Sequence, residues 1–153
     1  MIRYEFPLNE RVRTLLRLED LHSKLDFFSG ADEPRAHHAA VVTLFEILEV
    51  SGRADLKSEL MQELERQRLH LESLRSNPAI SPDALDEVLG EIDRTNTNLF
   101  AAPGKTGQEL RENEWLMGIR QRSGIPGGVC EFDLPSYHYW LSQSADLRRA
   151  DIQ

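Results

Sequence analysis

Lysine occurs only at positions 24, 57 and 105, so 15 of the 18 basic side chains are arginines. A guanidinium presents a planar fork of donors that grips a carboxylate through two hydrogen bonds, whereas an ammonium is a hydrated point charge. Arg11, Arg13 and Arg17 lie near the start of the chain, and Arg111, Arg120 and Arg122 lie just before a Pro-Gly-Gly turn. Arg13 with Arg17, and Arg111 with Arg122 about three turns later, project from similar faces if each set shares one helix. Were those two helices to pack side by side, they would form a positive concavity suited to an extended peptide bearing Asp, Glu or a terminal carboxylate. The plainer reading of each arginine is a pair with an acid one turn away on its own helix.

Other chemistry finds less support. Gly104-Lys105-Thr106 resembles the end of a phosphate-binding loop, but Leu99 occupies the position of the motif's first glycine. His37 and His38 are neighbours on a helix and point about 100° apart, a poor arrangement for a shared metal. His22, His70 and His138 are isolated, and Cys130 is the single cysteine, with no third group to orient His138 towards it. Carboxylates fall among bases, as in Glu63-Leu64-Glu65-Arg66, and read as solvated helix faces. No enzyme activity, metal or cofactor is therefore expected.

The elements that must position the arginines are helices. Val12, Leu15, Leu18, Leu21, Leu25 and Phe28 recur at spacings of three and four behind Asn9, a good N-cap, and predict a helix over 9–28. Asp32-Glu33-Pro34 opens a second helix with an acidic cap and a proline in the first turn; it ends at Ser51-Gly52. A leucine-rich third helix over 55–75 stops at Asn77-Pro78, and Ser81-Pro82-Asp83 starts a fourth. Thr106 with Glu109 makes a capping box for a fifth, running through Leu110, Leu116 and Ile119 to Ser123-Gly124. Beyond it, the alternation over 129–133 predicts a short strand, for which 4–6 is a possible partner. Ser136 to Leu141 is one or two helical turns. A last helix opens at Ser144-Ala145-Asp146 and runs to Gln153 with no cap and no visible return to the core, as an interrupted chain would.

Composition bounds the class. The chain has 153 residues, 40% of them hydrophobic, a formal charge of −8, and only 9 Gly and 7 Pro. That supplies a core of about one domain and excludes collagenous or low-complexity sequence. The acidic balance is the wrong sign for general nucleic-acid binding. The longest nearly apolar stretch, over 39–48, holds Thr43 and Glu46 and is far short of the ~20 residues of a membrane span. Residues 1–7 carry no apolar signal segment, so a cytoplasmic protein is expected.

Phe6-Pro7-Leu8-Asn9-Glu10-Arg11-Val12-Arg13-Thr14 with Leu16-Arg17-Leu18-Glu19, and the run from Arg120 through Ile125-Pro126-Gly127-Gly128-Val129-Cys130-Glu131-Phe132-Asp133-Leu134-Pro135 to His138 and Trp140-Leu141, resemble the ZapD family of bacterial cell-division proteins. Ser58-Glu59-Leu60, Glu63-Leu64, Pro103 and Gly107-Gln108-Glu109-Leu110-Arg111-Glu112 fit the same family in order. The helical pattern predicts a mainly α chain with an antiparallel helical bundle over 7–124; the resemblance implies a two-part protein, an α-helical domain and a β-rich one, approached here through a turn, a short strand and a further helical segment over 125–153. That segment would lead to a β domain beyond Gln153, of which the elements near 4–6 and 129–133 would be part. It further implies a cytoplasmic, non-catalytic homodimer at midcell, without cofactor, nucleic-acid or membrane partner. Its partner is FtsZ, whose C-terminal tail it binds and whose filaments it bundles. The basic residues that match the family's pattern, and so become candidates for holding that tail, are Arg13, Arg17, Arg53, Arg111, Arg120, Arg122 and His138. For His138, packing beside Tyr137 and Trp140 is the competing role.

Overall fold

A computed structural model describes residues 2, 4–52, 56–102 and 107–153. Arg53, and the Gly104-Lys105-Thr106 triplet with its Thr106 cap, lie outside the described residues. Eight α-helices and one 3-10 turn make up the described structure, and no strand occurs in it. The chain divides into two compact units, one formed by 1–52 with 107–153 and the other by 53–106.

The first unit is built on a helical hairpin. Helix α1 (Glu10–Gly30) opens where Asn9 accepts a hydrogen bond from the Val12 amide at 2.9 Å, as its N-cap character requires. Helix α2 (Pro34–Ser51) starts on Pro34, but the expected acidic cap makes no side-chain bond. Asp32 is instead paired with Arg149 at 2.7 Å. Helix α2 is the apolar centre of the unit. Val41, Phe45 and Leu48 bury against Leu116 and Ile119, and against Tyr137 and Trp140. The Tyr137 and Trp140 rings stack with centroids 5.7 Å apart, and Trp115 meets both edge-on.

The single fifth helix expected from 106 to 123 is two helices, α5 (Gln108–Glu112) and α6 (Glu114–Ser123). Asn113 breaks it: its backbone leaves helical geometry and its side chain accepts from the Leu116 amide at 3.0 Å, capping α6. Gly107 precedes α5 with φ +72°, and a Cβ there would collide with Leu48.

The short β element is not formed. Residues 4–6 are exposed, form no regular secondary structure and pair with no strand among the described residues. Over 125–134 the amides turn back on nearby carbonyls: Gly128 to Ile125, Cys130 to Gly127, and both Asp133 and Leu134 to Cys130, at 2.8–3.1 Å. The amides of Gly128, Cys130, Asp133 and Leu134 are thus spent within successive turns and not offered to a ladder. The alternation does not sort the side chains either: Val129 and Leu134, five residues apart, both pack on the core while Glu131 and Phe132 are both exposed.

Helix α7 (Pro135–Leu141) delivers Tyr137 and Trp140 to the core. Helix α8 (Ala145–Ile152) corrects the expectation of a helix that never returns: it packs on α1 and α2, and Ile152 reaches the core. The residue that docks it is Arg148, only 3% exposed. Its guanidinium donates to His37 Nδ1 at 2.7 Å, to the carbonyls of Leu141 at 2.8 Å and Asp32 at 2.6 Å, and to that of Gln143. Since arginine only donates, His37 Nδ1 must accept, and Nε2 carries the hydrogen donated to the Ser29 carbonyl at 3.2 Å. The positive charge also sits at the C-terminal end of α7, where the helix dipole favours it.

The second unit is a helical pair. Helix α3 (Leu56–Ser73) runs into a 3-10 turn (Leu74–Ser76), and α4 (Pro82–Ala101) follows, capped by Ser81 with Pro82 in its first turn. Leu85, Leu89 and Ile92 of α4 are buried, whereas no described residue of α3 is. Lys57 donates to the carbonyls of Phe100 at 3.3 Å and Ala102 at 2.8 Å, closing the C-terminal end of α4. Arg75 joins Glu72 at 2.9 Å and Asp86 at 2.7 Å, tying the connection to α4.

Candidate functional site

In the first unit an open groove of about 570 Å³ runs between α1, α2 and α6. Its floor is apolar: Leu21 from α1 and Val42, Phe45 and Val50 from α2. Charges of both signs line it, namely Arg17 and Asp20 from α1, Glu46 and Glu49 from α2, and Arg120 from α6. Each helix contributes a stripe at spacings of three or four residues, so helical periodicity places all of them. Helix α1 and helix α6 each pack on α2, which stands where direct packing of the first and fifth helices was expected. The groove is thus shared by three helices, and Arg17 and Arg120 are the two candidate arginines it brings together.

The remaining candidates are spread out. Arg13 pairs with Glu10 at 3.2 Å, and Arg17 approaches the same carboxylate at 3.9 Å. Arg120 makes the closest pair, 2.5 Å to Glu49. Arg122 is 3.9 Å from Asp133. Arg111 turns inward and donates to the Leu48 carbonyl near the C-terminal end of α2; because α5 ends at Glu112, it shares no helix with Arg122. His138 is half-exposed with Nδ1 3.6 Å from Glu131, and lines a different cleft with Arg35, Cys130 and Phe132. The histidine beside Tyr137 is His38, whose Nδ1 lies 2.8 Å from the Tyr137 hydroxyl.

These pairs do not lock the groove. Arg13, Arg17 and Arg122 keep 44–53% of their side-chain surface exposed, and such pairs contribute about 0–1 kcal/mol each. Lys24 lies 2.6 Å from Asp20, and the hydrogen bond and charge of Asp20 raise its pKa further above the ordinary lysine range. Desolvation lowers the pKa of the half-buried His38 and raises that of the buried Tyr137, so both side chains are neutral at pH 7. Among the described residues no group of three or more His, Cys, Asp or Glu side chains is placed to hold a metal, and no helix is long and apolar enough to cross a membrane.

The acids of the groove, Asp20, Glu46 and Glu49, are not among the candidate residues of the sequence. Their signal was present: Val42, Glu46 and Glu49 recur at helical spacing on α2, where charge interrupts an apolar face. Arg148 and Arg149 were also missed. No apolar periodicity points to a buried guanidinium.

The architecture is that of a mainly α-helical protein with a solvent-open groove of mixed charge on a helical core. The ZapD family profile, described as cell division protein, matches residues 16–153. "Cell division protein ZapD" of Aromatoleum aromaticum is 61% identical over 153 residues, which is 100% of this chain and 60% of the relative. The protein of the same name from Janthinobacterium sp. (strain Marseille) is 60% identical over 152 residues, 99% of this chain and 61% of the relative. That of Chromobacterium violaceum is 57% identical over 153 residues, covering 100% and 61%. The chain belongs to the ZapD family of cell division proteins, and it spans about 60% of the length of these relatives.

Proposed function

We propose that the protein acts in bacterial cell division as a non-catalytic adaptor. In this reading it binds the C-terminal tail of FtsZ and, as a homodimer, cross-links FtsZ filaments to support the Z-ring and septum at midcell. The segment after α6 would lead into a β domain that completes the assembly. Two sites per assembly are needed, since one captured tail cannot bridge two filaments.

The observation that carries the reading is the groove between α1, α2 and α6. An apolar floor anchors side chains, while Arg17 and Arg120 at its edges can receive carboxylates. Arg13 lies one turn from Arg17 and adds an exposed positive charge beside the groove, whereas Arg122, two residues from Arg120, points away from it and lies 3.9 Å from Asp133. Steering by such exposed charges weakens with salt, because the screening length is about 8 Å at physiological ionic strength. Arg111 supports the site by holding the C-terminal end of α2. His138 would act from the cleft it lines with Arg35 and Phe132, and Arg53 is retained as a further candidate for the tail.

Titration of a labelled FtsZ tail peptide is the direct test. Arg120→Glu, alone and with Arg17→Glu, is expected to weaken binding about tenfold or more, and 0.5 M salt to weaken it as well. Full sedimentation of bundles by FtsZ lacking its tail would refute tail capture. A second reading, a helical scaffold whose arginines are structural pairs, is favoured by the 2.5 Å contact of Arg120 with Glu49. It requires that Arg13→Ala, Arg17→Ala and Arg122→Ala lower the melting temperature and leave peptide binding intact.

A further inference from the structure

The groove is not a positive pocket. Of its five charged side chains three are acids, and Arg120 is in contact with one of them, Glu49, at 2.5 Å. Glu49 is itself mostly exposed, with 73% of its side-chain surface open. Glu46, one turn earlier on the same face of α2, makes no hydrogen bond or ion pair among the described residues. Asp20 faces Lys24 at 2.6 Å, and Lys24 also feels the charge of Glu46.

This arrangement constrains any ligand. A carboxylate that approaches Arg120 either displaces Glu49 or shares the guanidinium with it. A purely acidic segment then leaves Glu49 without its partner and brings its own negative charge against Glu46 and Glu49. A segment carrying a cation beside the carboxylate exchanges one internal pair for two intermolecular ones. Its apolar residues meanwhile cover Leu21, Val42 and Phe45.

We infer that the groove recognises an amphipathic segment of both signs: apolar residues on the floor, a carboxylate at Arg17 or Arg120, and a lysine or arginine at Glu46 and Glu49. The inference rests on the groove being the partner site proposed above. It adds that the acids of α2 select the partner, and that specificity comes from rejecting ligands of a single sign.

Three labelled synthetic peptides test it against the intact chain by fluorescence anisotropy. Each has three apolar residues flanked on one side by Asp and on the other by Lys, Gln or Glu, and each is made in both charge orders. The Asp/Lys peptide is expected to bind about tenfold tighter than the Asp/Glu peptide, with Asp/Gln between them. In the double variant Glu46→Gln, Glu49→Gln the gap should close to within about threefold, chiefly through tighter binding of the acidic peptide. Both side chains are exposed, and circular dichroism checks that the helices are retained. The inference is overturned if the acidic peptide binds the wild type as tightly, if the double variant keeps the gap, or if no peptide binds. The FtsZ tail titration separates the two ideas. Tail binding that is lost on reversing Arg120, with no preference in the peptide series, sinks the inference and leaves the tail site standing. Tail binding untouched by reversing Arg17 and Arg120 sinks both.

Discussion

The two units use arginine differently, although Arg13, Arg17 and Arg149 of the first also pair with acids on their own helix. In the unit formed by 1–52 and 107–153, guanidinium groups reach across elements: Arg148 is buried among carbonyls and a histidine, Arg149 spans α8 and Asp32, Arg111 closes the end of α2, and Arg120 meets Glu49. In the unit 53–106, Arg66 and Arg68 pair with Glu63 and Glu65 three residues back on their own helix, and among the described arginines of that unit Arg75 alone forms a salt bridge to a second element. The first pattern fixes tertiary structure, whereas the second decorates a helix whose described residues are nowhere buried. Stability and site geometry should therefore reside mainly in the first unit. Amides of α3 should exchange with solvent faster than those of α2, because little buried contact must be broken to open them.

The sharpest way to break this contrast is Arg148→Met. It keeps the length of the side chain but leaves His37 Nδ1 and the carbonyls of Leu141, Gln143 and Asp32 without their donor. Each buried acceptor left unsatisfied costs about 1–3 kcal/mol, partly offset by burying the thioether, so a loss of about 3 kcal/mol is expected in urea denaturation. Release of α8 should be visible as lost exchange protection at 145–152. An unchanged midpoint would mean that the buried network does not hold the unit together.

Next in size is Gly107→Ala. The left-handed backbone at φ +72° and the collision of a Cβ with Leu48 both oppose it, and about 1–3 kcal/mol should be lost. The same substitution at Gly118, where an added Cβ meets nothing within 4 Å, should be neutral or stabilising through helix propensity. Equal effects at the two glycines would remove Gly107 from the account.

Much of the fold was legible because helices announce themselves twice, by apolar spacing and by caps. Asn9, Ser81 and Pro82 open helices as their chemistry requires, and Leu21, Phe45 and Leu89 face inward at their expected places. What failed has common causes. Asn113 followed by Glu114 is a cap signal, but apolar residues at 110, 116 and 119 fit one continuous helix equally well. A five-residue alternation is too short to exclude linked turns, and in the turns formed here Glu131 and Phe132 are both exposed, which no strand pattern places together. At α8 the apolar rule inverts, with Leu147 56% exposed and Arg148 buried, and only the carbonyls around Arg148 explain it. For the candidate site, helical spacing grouped Arg13 with Arg17 and Arg111 with Arg122, whereas the groove brings Arg17 and Arg120 together, because which helices meet decides how the arginines are shared among pairs, a carbonyl contact and a second cleft.

A smaller effect comes from pH. Burial lowers the pKa of His38 in the folded chain, so the unfolded state binds more protons between that lowered value and the ordinary value of about 6.5. Stability is then complete above about pH 6.5 and falls as pH drops through the folded pKa. His38→Gln should flatten this slope in urea midpoints measured from pH 7 to 5, with Tyr137 keeping its proton throughout. Tyr137→Phe should reduce the slope less, since desolvation is the cause of the shift and the hydroxyl contact is secondary.

The smallest expected effect is the one that most directly tests the contrast between units. Arg68 forms two hydrogen bonds with Glu65, at 2.8 and 2.7 Å, better geometry than most pairs in the first unit. The pKa of Glu65 is lowered by that hydrogen bond, and the pKa of Arg68 is raised by its counterpart. Good geometry alone would rank this pair above the 3.9 Å approach of Arg122 to Asp133. Yet both partners stand in solvent on a single helix, where water and salt offer nearly the same stabilisation and the unfolded chain can pair the same neighbours. Arg68→Gln should therefore leave the denaturation midpoint unchanged within error and abolish only the shift at Glu65. A loss comparable to that at Arg148 would show that short contacts, and not burial across elements, govern this protein.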